Sequence, residues 1–182
     1  MNKRTFLIDS SSFITPFNTY YSLEYVPGFW QALIRENDKG RVFTIDAVKQ
    51  EVLKREDDLK KWFSDLPERF VLDTDGEVFT VYSSIIQWVN QHEVFAKHYK
   101  ESFSNGADGL LVAYAKVHGN VVVTEESAKD DPKMKRVKIP NVCRQFGVSC
   151  INIVEMLKEL DVRFILDGPQ RHDLFAIAGM GD

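Results

Sequence analysis

Acidic side chains stand at a few places in this chain where a carboxylate can do chemistry. Asp9 ends the apolar run in "TFLIDSSSF", Glu51 lies in "IDAVKQEVLK", Asp108 opens "DGLLVAYAKVHGN", and Glu125 and Glu126 follow "NVVVT". Each has a local explanation. Asp9 can cap a following helix, Glu51 can be a solvated helical glutamate, and Asp108 can complete a capping box with Asn105 and favour the positive end of its helix. All of them can also converge on one end of a sheet. Converging carboxylates repel one another, and several would have to take up protons unless a cation joins them. Oxygen-only ligands favour Mg²⁺ or Mn²⁺, and the His or Cys set that zinc prefers is missing. Such ions turn a negative pocket into one that accepts phosphate, and a pair of them can activate water.

The elements that must position these acids follow from the hydrophobic pattern. Short apolar runs at 4–8, 41–46 and 120–126 read as buried strands, with a weaker one at 69–73 and another in "CINI". Helical stretches are expected over 23–39, from Asp46 as N-cap to about 66 in one helix or two, and over 78–99. Others are expected from a cap at Ser104 or Asn105 to Gly119, at 141–146, and in "VEMLKEL". "VRFIL" is a last apolar run. Strands alternating with helices predict an α/β chain with a central, mainly parallel sheet covered on both faces. In such sheets ligands bind beyond the carboxyl ends of the strands, where Asp9 and the acids after Val123 fall.

The whole chain fits one domain. Its 182 residues are 44% hydrophobic and 27% charged, an ordinary globular composition. A net charge of -4 excludes a surface that attracts polyanions as a whole, so nucleic-acid binding needs a local patch or a bound cation. "KMKRVK" offers Lys133, Lys135, Arg136 and Lys138, either as a solvated loop or as a holder of RNA phosphates. "YYSLEYVPGFW" concentrates aromatics, for the core or for a partner. Cys143 and Cys150 read as small hydrophobes of a reducing compartment. His92 and His118 read as packing or cap residues. No segment approaches the ~20 apolar residues that span a bilayer, and the opening is too short for a secretory signal. A cytoplasmic protein with no membrane contact is expected.

The order "FLIDSSSFI", "IDAVKQEVLK", "NGADGLLVAYAKVHGNVVVTEE" resembles the PIN-domain nucleases, the family that includes the VapC-type toxins, over nearly the whole chain to about Leu166. The resemblance implies a three-layer α/β/α PIN-like domain over 1–166 and a tail over 167–182. It makes Asp9, Glu51 and Asp108 the first three metal-binding acids. The fourth departs from the commoner pattern of Thr followed two residues later by Asp. Glu126 has the right spacing, with Glu125 next and Asp130 third. Ser11 stands where the family often has Asn or Ser to steady the site, and with Thr124 and the cations of "KMKRVK" it falls on the substrate side. The activity implied is Mg²⁺- or Mn²⁺-dependent hydrolysis of RNA, leaving 5′-phosphate and 3′-hydroxyl ends. A homodimer and an antitoxin protein covering the acidic cleft would go with it. The altered fourth acid also admits a PIN fold that binds or regulates without turnover, and the long insertion between Glu51 and Asp108 makes the chain larger than a minimal PIN toxin. Phosphotransfer proteins of the receiver or haloacid type share an Asp after the first strand. "DSSS", however, lacks the second Asp of the phosphatases, and no acidic pair precedes Asp9 as a receiver requires.

Overall fold

The structure is a computed structural model that describes residues 4–127 and 135–165. Among these residues five strands form one sheet in the order β3-β2-β1-β4-β5, every neighbouring pair parallel. The strands are β1 (Phe6–Ile8), β2 (Val42–Ile45), β3 (Val71–Leu72), β4 (Val121–Val123) and β5 (Cys150–Ile151). The helices are α1 (Ser11–Asn18), α2 (Pro27–Asp38), α3 (Asp46–Leu53), α4 (Asp58–Ser64), α5 (Gly76–Gln91), α6 (Lys97–Asn105), α7 (Asp108–His118), α8 (Ile139–Phe146) and α9 (Ile153–Glu159). They flank the sheet in a three-layer α/β/α arrangement, the fold class expected from the sequence.

The strand order itself selects a site. The chain starts at central β1, winds outward on one side through β2 and β3, then returns to the other side of β1 with β4 and β5. The winding therefore reverses between β1 and β4, the switch point at which the connections leaving two adjacent strands diverge and open a crevice. All residues of β1 and β4 are buried, as the central strands of a sheet covered on both faces must be. Helix α7 crosses from this crevice along α5. At Gly109 a Cβ would stand 2.8 Å from a ring carbon of Tyr82, so only glycine allows the approach that seats the first turn of α7 against its neighbours. A side chain here would overpack the contact, at a cost of about 1–3 kcal/mol.

Several boundaries differ from the sequence pattern, each for a local reason. Helix α1 follows β1 directly, where three serines and an internal Pro16 give little sign of a helix. It forms because Phe13 is driven into the core, edge-on to Phe63 at 4.8 Å. Helix α2 begins only at Pro27, whose ring suits a first helical position. The segment expected to be one helix over 78–99 breaks after Gln91. His92 stacks on Phe95 at 4.0 Å, and the Ala96 N–H donates to the Lys135 carbonyl at 2.9 Å instead of continuing the helix. Asp46 is the first helical residue and not the N-cap, which is Ile45. Asn105 ends α6, so neither it nor Ser104 caps α7, whose N-cap is Ala107 without a side-chain bond. Strand β4 stops at Val123, short of the stretch to 126. Residues 162–165 of "VRFIL" adopt no regular element. Of the aromatic cluster, Phe29 and Trp30 are buried and Tyr21 stacks on Phe29 at 4.6 Å, whereas Tyr25 is exposed. Core packing accounts for most of it. No helix among the described residues is long and apolar enough to cross a membrane. The tail over 167–182 lies outside the described residues.

Candidate active site

Asp9 leaves β1 at the switch point, and its carboxylate is only 2% exposed. One oxygen, Oδ2, accepts from the Ser11 hydroxyl at 2.6 Å, the Ser11 N–H at 3.2 Å and the Thr124 hydroxyl at 3.1 Å. The Ser10 hydroxyl donates to Oδ1 at 3.4 Å. The same two hydroxyls tie down the chain after β4. Ser11 Oγ accepts the Glu125 N–H at 3.1 Å, and Thr124 Oγ1 accepts the Glu126 N–H at 3.2 Å. Ser11 and Thr124 thus spend their hydrogen bonds on the site's own backbone and carboxylate and hold β1 and β4 in register beyond the sheet. Burial pushes the Asp9 carboxyl above its ordinary range, these donors oppose the rise, and the Glu126 charge adds to it.

Asp108 is the first residue of α7. Loss of solvent raises its carboxyl to about 8, followed by repulsion from Asp9, Glu126 and Glu51, with Arg136 pulling the other way. Carboxylates from the β1 end, α3 and the turn after β4 thus lie near enough for their charges to bear on Asp108.

Two of them are held on helix starts. Glu51 Oε1 accepts the Ala107 N–H at 2.7 Å, and Glu126 Oε2 accepts the Ile139 N–H at 2.8 Å. Free N–H groups in the first turn of a helix satisfy anions well, which lets these acids sit close to others without an ion. Glu126 Oε1 is 3.7 Å from Arg136 Nη2, with the arginine exposed and the glutamate half-buried. Glu125 points elsewhere. Its Oε1 accepts the Ile153 N–H at 3.0 Å, and its Oε2 takes a bond from Tyr20 at 3.5 Å, so it anchors α9. Both glutamates lie in the turn beyond β4, and of the two it is Glu126 whose charge acts on Asp9 and Asp108.

Of the cations, Arg136 reaches the acids, Lys135 is exposed beside it, and Lys138 donates to the Ser127 carbonyl at 3.1 Å. Lys133 and Asp130 lie outside the described residues. The sequence pattern gave no hint of Ser10 or of the backbone donors Ala107 and Ile139. "IP" at 139–140 is a helix-start signal that locates the second donor. The two cysteines meet, Cys143 buried in α8 and Cys150 half-buried in β5. The hydrogen bond that Cys143 donates raises its own thiol and lowers that of Cys150, which makes Cys150 the readier thiolate.

Among the described residues no three His, Cys, Asp or Glu side chains are gathered tightly enough to grip an ion as they stand. Glu51 and Glu126 each have one carboxylate oxygen engaged by a backbone N–H. The donor set still fits a hard divalent cation. It is all oxygen, and the burial and repulsion that raise the Asp108 carboxyl are what a bound cation would relieve.

No curated protein matches the chain. A family model described as a domain of unknown function (DUF4411) matches residues 6–164. The match opens on the first residue of β1 and closes beyond α9, so it takes in the complete sheet and every acid of the crevice. With both the fold and the site inside that span, the chain belongs to the DUF4411 family.

Proposed function

We propose that the protein is a metal-dependent endoribonuclease acting on RNA phosphodiester bonds. The observation that carries this reading is the gathering of Asp9, Glu51, Asp108 and Glu126 at the switch point of a parallel sheet, where burial and their repulsion raise the Asp108 carboxyl to about 8. A cluster of this kind costs stability and is accounted for by the positive charge it is built to receive. Asp9, Glu51, Asp108 and Glu126 would hold Mg²⁺ or Mn²⁺, which supplies charge for the phosphate and a more acidic water. The chain's own part is positional. Ser11 and Thr124 fix Asp9, the helix starts of α7 and α8 hold Glu51 and Glu126, and Asp108 would bring a further carboxylate to the ion. Arg136, beside Glu126 and open to solvent, meets the phosphate arriving at the rim. The resemblance to the PIN nucleases supplies the RNA substrate, and by itself carries the cytoplasmic setting, the homodimer and the antitoxin partner.

Incubation of labelled RNA with the purified protein tests this directly. Cleavage is expected with Mn²⁺ or Mg²⁺ and none with EDTA. Cleavage that persists in EDTA would rule out the metal-dependent mechanism. A binding module without turnover is the second reading, favoured by the bonds that engage Glu51 and Glu126 with backbone N–H groups. It predicts a melting temperature that rises with Mn²⁺ and no cleavage.

The fourth acid gives a finer prediction. Glu126→Gln removes a charge from the cluster, and the Mn²⁺ concentration for half-maximal activity is expected to rise about tenfold. Glu125→Gln loosens the start of α9 instead. It is expected to leave the Mn²⁺ requirement unchanged and to lower stability by about 1 kcal/mol. Mn²⁺ titrations paired with thermal melts separate the two, and the opposite ranking would remove Glu126 from the site.

A further inference from the structure

Each end of helix α6 adjoins a segment that touches an acid of the crevice. Past its C-terminus, Gly106 packs against Glu51, whose Oε1 would stand 3.3 Å from an added Cβ. Before its N-terminus, the Ala96 N–H donates to the Lys135 carbonyl at 2.9 Å, and the next residue is Arg136, which contacts Glu126. A helix of nine residues is about 13 Å long, short enough for one extended strand to touch both the acids and its far end.

The far end has the chemistry that a nucleic-acid strand needs. The Lys97 side chain is 92% exposed, with Glu101 at 3.8 Å as a loosely held partner. Beside it His98 is exposed, its ring 4.0 Å from that of Tyr99, and Tyr99 is anchored against the core. Lys135 is exposed next to this turn. Opposing charge comes from Glu93 and Glu101, while Lys100 is committed to the Asn90 carbonyl at 2.7 Å. A cation for a phosphate and an aromatic ring backed by a second ring for a base are the two parts of a single-strand platform. A duplex hides the base faces that such a ring would meet.

We propose that Lys97, His98 and Lys135 form a subsite for single-stranded RNA, which grips the strand beside the bond to be cut while the acids hold the bond itself. The proposal rests on the nuclease reading and adds a preference for unpaired RNA. It also gives the insertion between Glu51 and Asp108 a task, since α6 lies within it.

Fluorescence anisotropy with a short labelled single-stranded RNA tests it, with Ca²⁺ in place of Mn²⁺ and NaCl varied. Lys97→Ala and Lys135→Ala are each expected to weaken binding about fivefold at low salt and to flatten the salt dependence by about 0.7 in log–log slope. His98→Ala is expected to weaken binding about tenfold with an unchanged slope, the mark of a lost stacking contact. Lys61→Ala on distant α4 serves as the control. The subsite is overturned if the three variants bind like that control, or if duplex RNA binds as tightly as single-stranded RNA. Should the wild type bind and cleave RNA while the variants match it, the subsite alone falls. Should it neither bind nor cleave, the nuclease reading falls too.

Discussion

Replacing Asp108 with asparagine is expected to raise the melting temperature of the ion-free protein at pH 8 by about 5–10 °C. The carboxyl sits at about 8 in the fold against 3.8 as its ordinary value, so folding draws a proton onto it between those limits. A group that binds its proton more tightly in the folded state stabilises fully below its unfolded pKa. It loses that contribution as pH climbs to the folded value. Wild-type stability should therefore fall between about pH 4 and pH 8 and level off above, with a limiting slope of about 1.4 kcal/mol per pH unit. Asparagine fits the same space without the charge, so the variant should show a much shallower decline, what remains coming from the raised carboxyl of Asp9. Mn²⁺ should restore the wild type at pH 8 by replacing the missing positive charge, and should do far less for Asp108→Asn. Melting curves at several pH values, with and without Mn²⁺, check all of this. A variant that melts lower with an unchanged pH slope would make Asp108 a helix-start residue and nothing more.

The pH behaviour also shows why the site was partly legible in the sequence. Strand ends in a parallel α/β pattern are recognisable from apolar runs, and an acid just past such a run is conspicuous, which exposed Asp9 and Glu126. Asp108 was legible because it opens a strongly patterned helix closed by Gly119. Glu51 was picked out by the family resemblance and not by its local pattern, since the Ala107 N–H that holds it lies 56 residues away in sequence. The break after Gln91 was illegible for a similar reason. The pull on Ala96 comes from the Lys135 carbonyl, a partner that no local periodicity can reveal. Helix α1 was hidden by its own composition, because Phe13 supplies by burial what three serines and a proline lack in propensity. Tertiary contacts decided each of these places, and all but α1 lie on the insertion or its border with the acids.

Asp9→Asn is expected to lower RNA cleavage at least about a thousandfold while the protein stays folded. The geometry explains why the two effects separate. All three short bonds to Asp9 arrive at one oxygen, Oδ2, from donors on Ser11 and Thr124. An asparagine with its carbonyl at that position keeps every one of them, and its amide group takes the place of Oδ1, which the Ser10 hydroxyl meets at 3.4 Å. What is lost is the negative charge, and with it the affinity for a divalent ion. Ser11→Ala tests the same carboxylate from the other side, as a positioning residue. It removes the hydroxyl whose bond most strongly opposes the upward push of burial on Asp9, and it leaves the Glu125 N–H without its acceptor. The Asp9 carboxyl should then rise further and need a higher pH to ionise. Cleavage by Ser11→Ala is expected to fall about tenfold to a hundredfold at neutral pH, with the acid limb of its pH–rate profile moved upward and part of the loss recovered at pH 9. Thr at position 11 keeps the hydroxyl and should restore both rate and profile. A pH-independent loss in Ser11→Ala, or substantial cleavage by Asp9→Asn, would mean that the negative charge of Asp9 is not what the reaction uses.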